Sequence, residues 1–189
     1  MDLKTYKKLR GMSHKGSLRE DLIGRRLVSS RTGLLRVGLN DPMNVFARIA
    51  SGTMRNPLPQ AVPSDEFVAC QNLPLADQNW ASTDPEWVGK ASMGKRHRFI
   101  TTTNLRWDYF NVLTIEDPGF LLRMRDYALE SAEAWGWSDA IGLCFHPYPF
   151  NSVPSLHLHV LDMTLRGTTY DVLHYKNLAL EDALEALQG

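Results

Sequence analysis

The sequence predicts an α+β domain with a mostly antiparallel sheet and two main helices. Several short segments are rich in apolar, aromatic or β-branched residues and are bounded by Pro, Gly or polar residues, which is typical of strands. Two other segments repeat apolar residues at spacings of three and four, which is typical of helices with one buried face. Strands mixed with two substantial helices favour this fold class.

Five segments have the composition of strands. They are residues 65–70, 98–103, 141–145, 155–163 and the shorter 170–175. The segment 141–145 is apolar and is followed by Pro147 and Pro149, which cannot continue a central strand. We therefore expect 141–145 to be a buried strand.

Helices are predicted in three places. A short one covers residues 46–50 and ends at Gly52. A longer one is expected to begin at Thr114 as its cap, with Asp117 three residues later and Pro118 in the first turn, and to stop at Gly136. The last is an amphipathic helix over residues 180–187. The second and third are the two main helices of the prediction.

Charge divides the chain into two parts. Its 189 residues fit about one domain, and Lys plus Arg equal Asp plus Glu at 21 each. A protein that binds nucleic-acid backbones non-specifically is normally basic, so the neutral total disfavours that class. Residues 1–36 nevertheless hold ten basic and three acidic residues. We therefore predict a basic N-terminal arm, 1–40, and a domain, 41–189, with a long loop at 74–95. A solvated tail is the favoured interpretation of the arm; a targeting peptide or a phosphate-binding arm are the alternatives.

The two cysteines and the absence of long apolar runs limit the class of protein and its expected compartment. Cys70 and Cys144 lie far apart without a CxxC pair, which excludes a disulfide scaffold and a Cys-rich zinc module. No apolar run approaches the ~20 residues that span a bilayer, and the N-terminus lacks the apolar core of a signal peptide. We expect a cytoplasmic protein with no membrane partner and no cofactor.

The motif His157-Leu158-His159 is the strongest local signal of chemistry. Residues two apart on a strand face the same side, so the two imidazoles are expected side by side, with Leu158 directed to the core. Histidine suits nucleophilic and acid–base work near neutral pH. Two alternatives remain: a pair of surface histidines, and a metal site, which ranks last because no third or fourth ligand is evident. His97, which precedes a predicted strand, is expected to be structural or exposed.

A Pro-rich loop precedes this motif and ends in polar residues. Asn151 and Ser152 follow His146 in that loop, and their amides and side chains suit phosphate oxygens. The stretch 145–161, FHPYPFNSVPSLHLHVL, resembles the signature of the histidine triad (HIT) family. It is closest to the branch with aprataxin and the third type of histidine triad nucleotide-binding protein. Residues 46–52, 65–69 and 175–178 also resemble that branch, so the resemblance covers roughly 44–188.

The resemblance implies a HIT-like fold that binds purine nucleotides and cleaves a nucleoside phosphate conjugate at the α-phosphate. His157 matches the histidine that attacks phosphorus and forms a nucleotidyl-histidine. His159 matches the one that helps hold the phosphate, and His146 matches one that serves the leaving group. The expected site residues are catalytic His157, His159 and His146, and phosphate-binding Asn151, Ser152 and Ser155. No base-binding residue is identified.

Two departures from the family pattern leave the reaction open. Ser155 stands where the motif has its first histidine, and Asn104-Leu105-Arg106 lacks the family's earlier histidine. The alternatives to a hydrolase or transferase are a nucleotide-binding module with weakened catalysis and an aprataxin-like DNA-end processor. The acidic body counts against nucleic acid as a partner. Family members are often homodimers, which adds a second copy of the chain to the expected partners.

Overall fold

A five-stranded antiparallel sheet forms the centre of the protein. The structure is a computed structural model that describes residues 1–12 and 14–189. The strands are β1 (Phe67–Gln71), β2 (His97–Thr102), β3 (Ile141–Phe145), β4 (Leu158–Asp162) and β5 (Leu178–Ala179). They lie in the order β1-β2-β4-β3-β5, and each neighbouring pair is antiparallel. The predicted α+β class with an antiparallel sheet is confirmed.

Helices precede, connect and follow these strands. In the described residues they are α1 (Leu3–Gly11), α2 (His14–Gly24), α3 (Val45–Ala50), α4 (Pro74–Gln78), α5 (Pro118–Ala134), α6 (Thr168–Val172) and α7 (Leu180–Gln188). The prediction of two main helices is wrong, because α1 and α2 are at least as long as α7. None of the described helices combines the length and apolar character needed to cross a membrane.

The long helix α5 begins later than predicted. Its cap is Asp117, whose carboxylate accepts a hydrogen bond of 2.8 Å from the Gly119 N–H, and Pro118 occupies the first turn. Thr114 is not the cap, because its hydroxyl donates to the Asn111 carbonyl in the preceding turn. The helix ends near Gly136, which has a φ of +69° that favours glycine.

The segment 170–175 is helical, which corrects the prediction of a fifth strand there. It comprises the end of α6 and a 3₁₀ turn, Leu173–Tyr175. Its aromatic and β-branched residues favour a strand locally, but Tyr170 and Leu173, three residues apart, pack on one apolar cluster. The period of three places both on one side of a helical turn, and β5 forms instead from Leu178–Ala179.

The N-terminal segment is part of the folded body, so its interpretation as a solvated tail is wrong. Tyr6 is fully buried, and its hydroxyl donates a 2.8 Å hydrogen bond to the Val112 carbonyl. Leu18 and Leu22 of α2 are fully buried in a second cluster with Phe110. Burial of each large side chain contributes about 1.5–3 kcal/mol, which holds this basic segment against the acidic remainder.

The segment 74–95 is not one continuous loop. It begins with α4, and its end is joined to the chain near α6 by main-chain hydrogen bonds. The Lys95 N–H donates to the Leu165 carbonyl at 2.9 Å, and the Gly167 N–H donates to the Met93 carbonyl at 2.8 Å. A side chain at Gly167 would collide with the Trp80 carbonyl, so glycine permits this close approach. The segment therefore has a fixed path into β2.

Candidate active site

A cavity of about 570 Å³ lies between α3, the His-bearing parts of β2 and β4, and the end of the segment 74–95. Its volume is in the range of small-molecule binding sites. Most of its exposed lining is apolar, and the apolar side chains include Val45, Phe46, Ile49, Met54, Leu73 and Val153. Its polar residues include four histidines: His97, His146, His157 and His159.

His157 and His159 lie side by side as predicted, although β4 begins at Leu158, so that only His159 belongs to the strand. The ring centroids of His157 and His159 are 4.8 Å apart, and those of His146 and His159 are 4.1 Å apart. All three residues are buried, with 5 to 8% of their surface exposed, while Leu158 between the pair is fully buried in the core. The structure therefore brings the three predicted catalytic residues together and excludes the alternative of exposed surface histidines.

His157 is held with one nitrogen free. Its Nδ1 lies 2.7 Å from the Ser155 carbonyl, which can only accept, so Nδ1 carries the proton and Nε2 keeps its lone pair. Burial lowers the pKa of His157 to about 4, so the ring is neutral near pH 7. Phe46 stacks on this ring at 4.3 Å with an interplanar angle of 22°. A neutral, oriented imidazole with an unshared lone pair is suited to nucleophilic attack.

His146 is fixed by an amide. Its Nε2 lies 2.7 Å from Asn177 Oδ1, and Asn177 Nδ2 donates to the Tyr170 carbonyl at 3.2 Å, which determines the orientation of the amide. His146 Nε2 is therefore a donor, and Nδ1 keeps its lone pair. Burial lowers the pKa of His146 to about 3. In this state His146 is a proton acceptor at Nδ1, whereas the sequence interpretation had it serve the leaving group.

His97 was not predicted as a site residue, and the expectation that it is structural or exposed missed its place in the cluster. It is buried on β2, and its Nε2 lies 3.0 Å from His159 Nδ1. His159 Nε2 has no hydrogen-bond partner among the described residues. The sequence does show that His97 and Phe99, two residues apart on a strand, share one face. Placing that face beside His159 requires the pairing of Phe99 with His159, which the sequence does not give.

Of the three predicted phosphate-binding residues, one lines the cavity and two do not. Ser152 is exposed and lines the cavity. Ser155 is 1% exposed and does not line it; its hydroxyl accepts a 3.1 Å hydrogen bond from the Phe46 N–H in the first turn of α3. Asn151 does not line the cavity either, and its side-chain nitrogen and oxygen are buried without partners among the described residues.

The lining of this cavity has a net positive charge. Lys90 and Lys176 line it, and its lining residues include neither Asp nor Glu. Lys176 is 5% exposed, and burial lowers its pKa. Its charge adds to burial in lowering the pKa of His146 and His157. A buried cation without a facing carboxylate favours an anionic ligand.

Three of the histidines also have the spacing of a metal site. One nitrogen from each of His146, His157 and His159 lies within 4.8 Å of the others. A metal site was ranked last because no third ligand was evident in the sequence. His146 supplies a possible third ligand. Whether the nitrogens can bind a metal depends on which of them carry protons.

No family model matches the chain, and no curated protein matches it either. The resemblance to the histidine triad family, with its HIT-like fold, therefore stays a prediction based on the motif.

Proposed function

We propose that the protein binds a nucleoside phosphate conjugate in this cavity and cleaves it at the α-phosphate, with His157 as the nucleophile. The observation that carries the proposal is the state of His157. It is buried and neutral, with Nδ1–H bound to the Ser155 carbonyl and Nε2 free. A histidine with one nitrogen engaged and the other free can form a covalent intermediate.

The reaction runs in two displacements. Nε2 of His157 attacks phosphorus, the bond from phosphorus to the leaving group breaks, and that group takes the bonding electrons and a proton from water. The nucleotidyl-histidine carries a positive charge, which the 2.7 Å hydrogen bond from Nδ1–H to the Ser155 carbonyl stabilises. A water then attacks phosphorus and gives a proton to Nδ1 of His146, and the nucleotide and neutral His157 are released. His146 passes that proton to the hydroxide that the first step left, which restores the starting state.

The lining of the cavity supports a nucleotide as the ligand. Lys176 supplies a buried positive charge for the phosphate, and Ser152 supplies a hydroxyl at its edge. Apolar residues of α3, such as Val45 and Ile49, offer a surface for a flat base. A ligand that is apolar at one end and anionic at the other matches both parts of the cavity.

Rapid quench with an α-phosphate-labelled nucleoside phosphoramidate tests the proposal. We expect acid-labile label on the wild-type protein, no label on His157→Asn, and AMP binding by both. His174→Gln is the matched control, because His174 is exposed and does not line the cavity. If label never attaches and His157→Asn turns over like wild type, His157 is not the nucleophile. AMP binding without turnover would instead support the alternative function, a nucleotide-binding module.

A further inference from the structure

We propose that Asn111 is a positioning residue that holds both ends of the Pro-rich loop 147–154 and thereby orients the carbonyl that fixes His157. The inference rests on the proposed function in taking His157 as the nucleophile, whereas the contacts of Asn111 do not depend on it. Asn111 lies between β2 and α5 and does not line the cavity. It acts through the loop and has no assigned contact with the reacting atoms.

The side-chain amide of Asn111 joins the two ends of this loop. Its Oδ1 accepts a 3.2 Å hydrogen bond from the Tyr148 N–H at one end, and its Nδ2 donates at 2.8 Å to the Pro154 carbonyl at the other. Oδ1 also accepts from the Leu113 N–H at 3.1 Å. Main-chain N–H groups only donate and carbonyls only accept, so a flipped amide would lose all three bonds. The orientation of the Asn111 amide is therefore determined.

The loop makes few main-chain hydrogen bonds of its own. Pro147, Pro149 and Pro154 have no N–H to donate. One main-chain bond lies within the loop, from the Phe150 N–H to the Pro147 carbonyl at 2.9 Å, and it closes only the first half. Among the described residues no main-chain bond connects that half to residues 151–154. Asn111 provides the connection.

Asn111 is itself held from outside the loop. It is 2% exposed, and the residues that follow it are bound by the N-terminal helix α1. The Tyr6 hydroxyl donates to the Val112 carbonyl at 2.8 Å, and Arg10 Nη1 donates to the Ile115 carbonyl at 2.8 Å. An amide on an anchored segment can hold a loop in place, whereas an amide on a mobile one would move with it. Through Asn111, the N-terminal segment therefore supports the site.

The contact reaches His157 through one peptide unit. Asn111 holds the oxygen of the Pro154–Ser155 peptide, and the Met43 carbonyl accepts from its N–H at 2.8 Å. Both sides of that peptide plane are therefore fixed. The next carbonyl, that of Ser155, accepts the Nδ1–H of His157 at 2.7 Å. A shift of the first peptide changes the direction of this carbonyl, and with it the hydrogen bond that keeps the proton of His157 on Nδ1.

Two variants separate the contacts of Asn111. Asn111→Asp keeps an oxygen for the Tyr148 and Leu113 N–H groups, and hydrogen bonds from them favour a charged carboxylate. Its other oxygen faces the Pro154 carbonyl and repels it, so this variant removes only the second end of the contact. Asn111→Leu fills much the same space without any polar atom and removes all three bonds.

Asn56→Asp is the matched control. Asn56 Nδ2 donates to the Ala69 carbonyl at 2.9 Å, and its Oδ1 accepts from the Leu58 N–H at 3.2 Å. The substitution therefore removes the same kind of bond and keeps the same kind of acceptor, at a residue that does not line the cavity. Urea unfolding should show a loss of stability in both aspartate variants.

Nitrogen-15 NMR of the unliganded protein measures the state of His157. In the wild-type protein we expect a protonated Nδ1, an unprotonated Nε2, and slow hydrogen exchange of the Tyr148 N–H. Both Asn111 variants should populate both tautomers of His157, whereas Asn56→Asp should keep the wild-type signals. Fast exchange of the Tyr148 N–H in the wild-type protein overturns the proposal without any variant. Wild-type His157 signals in a folded Asn111 variant also overturn it, as does the same change in Asn56→Asp.

Single-turnover labelling at saturating phosphoramidate measures the consequence. We expect Asn111→Asp to be labelled about ten- to a hundredfold more slowly, because a displaced reacting group costs rate. AMP affinity should fall much less, since Lys176 and the apolar residues of α3 stay in place. A loss confined to AMP affinity overturns the positioning role. Failure to label the wild-type protein overturns only the proposed reaction, because the NMR result does not depend on turnover.

Discussion

Phe46 and His157 lie nearly parallel, with ring centroids 4.3 Å apart and an interplanar angle of 22°. Phe99 meets the same imidazole edge-on at 5.5 Å and 83°. Two aromatic rings and the Ser155 carbonyl therefore fix the plane of His157 from three directions. An oriented nucleophile needs less reorganisation before it attacks.

Replacing Phe46 with leucine should slow the chemical step while the protein stays folded. Leucine keeps the site apolar and removes only part of the buried ring, so the protein should stay folded. Loss of the stack lets the imidazole tilt, which we expect to lower single-turnover rates by about ten- to a hundredfold. Phe150→Leu is the control, because Phe150 is 43% exposed and lies outside the cavity. Equal rates in both variants would contradict an orienting role for Phe46.

Ser155→Ala should reduce stability and leave nucleotide affinity intact. The Ser155 hydroxyl accepts from the Phe46 N–H, one of the amides that the first turn of α3 leaves without a helical partner. Loss of a capping acceptor costs about 0.5–2 kcal/mol, which urea unfolding measures. Ser152→Ala is the matched variant with the opposite expectation: unchanged stability and weaker AMP binding. Weaker AMP binding in Ser155→Ala at unchanged stability would restore the phosphate role predicted from the sequence.

Lys176→Met should weaken AMP binding by about ten- to a hundredfold, because a charge-assisted hydrogen bond contributes about 1.5–3 kcal/mol. Methionine keeps most of the buried stem of the side chain, so the fold should hold. Isothermal titration with AMP and with adenosine separates the phosphate contribution from the base. Lys95→Met, an exposed residue outside the cavity, serves as the control. An equal loss for AMP and adenosine would show that Lys176 does not contact the phosphate.

Acid should unfold the protein through its buried histidines. Burial lowers the pKa of His97 and His146 to about 3 and that of His157 to about 4, against an ordinary value of 6.5. Between pH 6.5 and about 4 these histidines bind protons in the unfolded chain but stay neutral in the folded one. The free energy of unfolding therefore falls as the pH falls. Each such histidine lowers the free energy of unfolding by about 2 kcal/mol between pH 7 and pH 5.

Urea unfolding at pH 7, 6 and 5 measures this dependence, and His157→Gln should make it shallower. A free energy of unfolding that stays constant over that range would contradict neutral buried histidines.

Local patterns predicted β1, β2 and β3 to within two residues at each end. The predicted strand 141–145 is β3. Its end is visible in the sequence, because prolines follow the apolar run and cannot continue a central strand. The strand predicted at 155–163 begins only at Leu158, since the Ser155 N–H donates to the Met43 carbonyl at 2.8 Å instead of joining the sheet. That contact joins residues more than a hundred apart, and no local pattern contains it.

Long-range pairing also explains the parts of the site that were missed. His97 reaches His159 because β2 pairs with β4, with Phe99 opposite His159. Ser155 was assigned to phosphate from its place in the loop, whereas its hydroxyl is used by α3. The N-terminal helix was overlooked because its charges suggested a tail, although Tyr6 and Leu9 already have the spacing of one buried helix face.

The Met93 N–H lies in the segment 74–95, described above as having a fixed path into β2, and it donates a 3.2 Å hydrogen bond to His97 Nδ1. An amide N–H can only donate, so a neutral His97 carries its proton on Nε2, which lies 3.0 Å from His159 Nδ1. An alanine scan leaves every main-chain N–H in place, so it would report Met93 as a packing residue and pass over this contribution. Insertions and deletions in the segment move the amide itself. Two chains that share all four histidines but differ in the length of this segment are therefore expected to differ in which ring nitrogens carry protons, and in the ligands they accept.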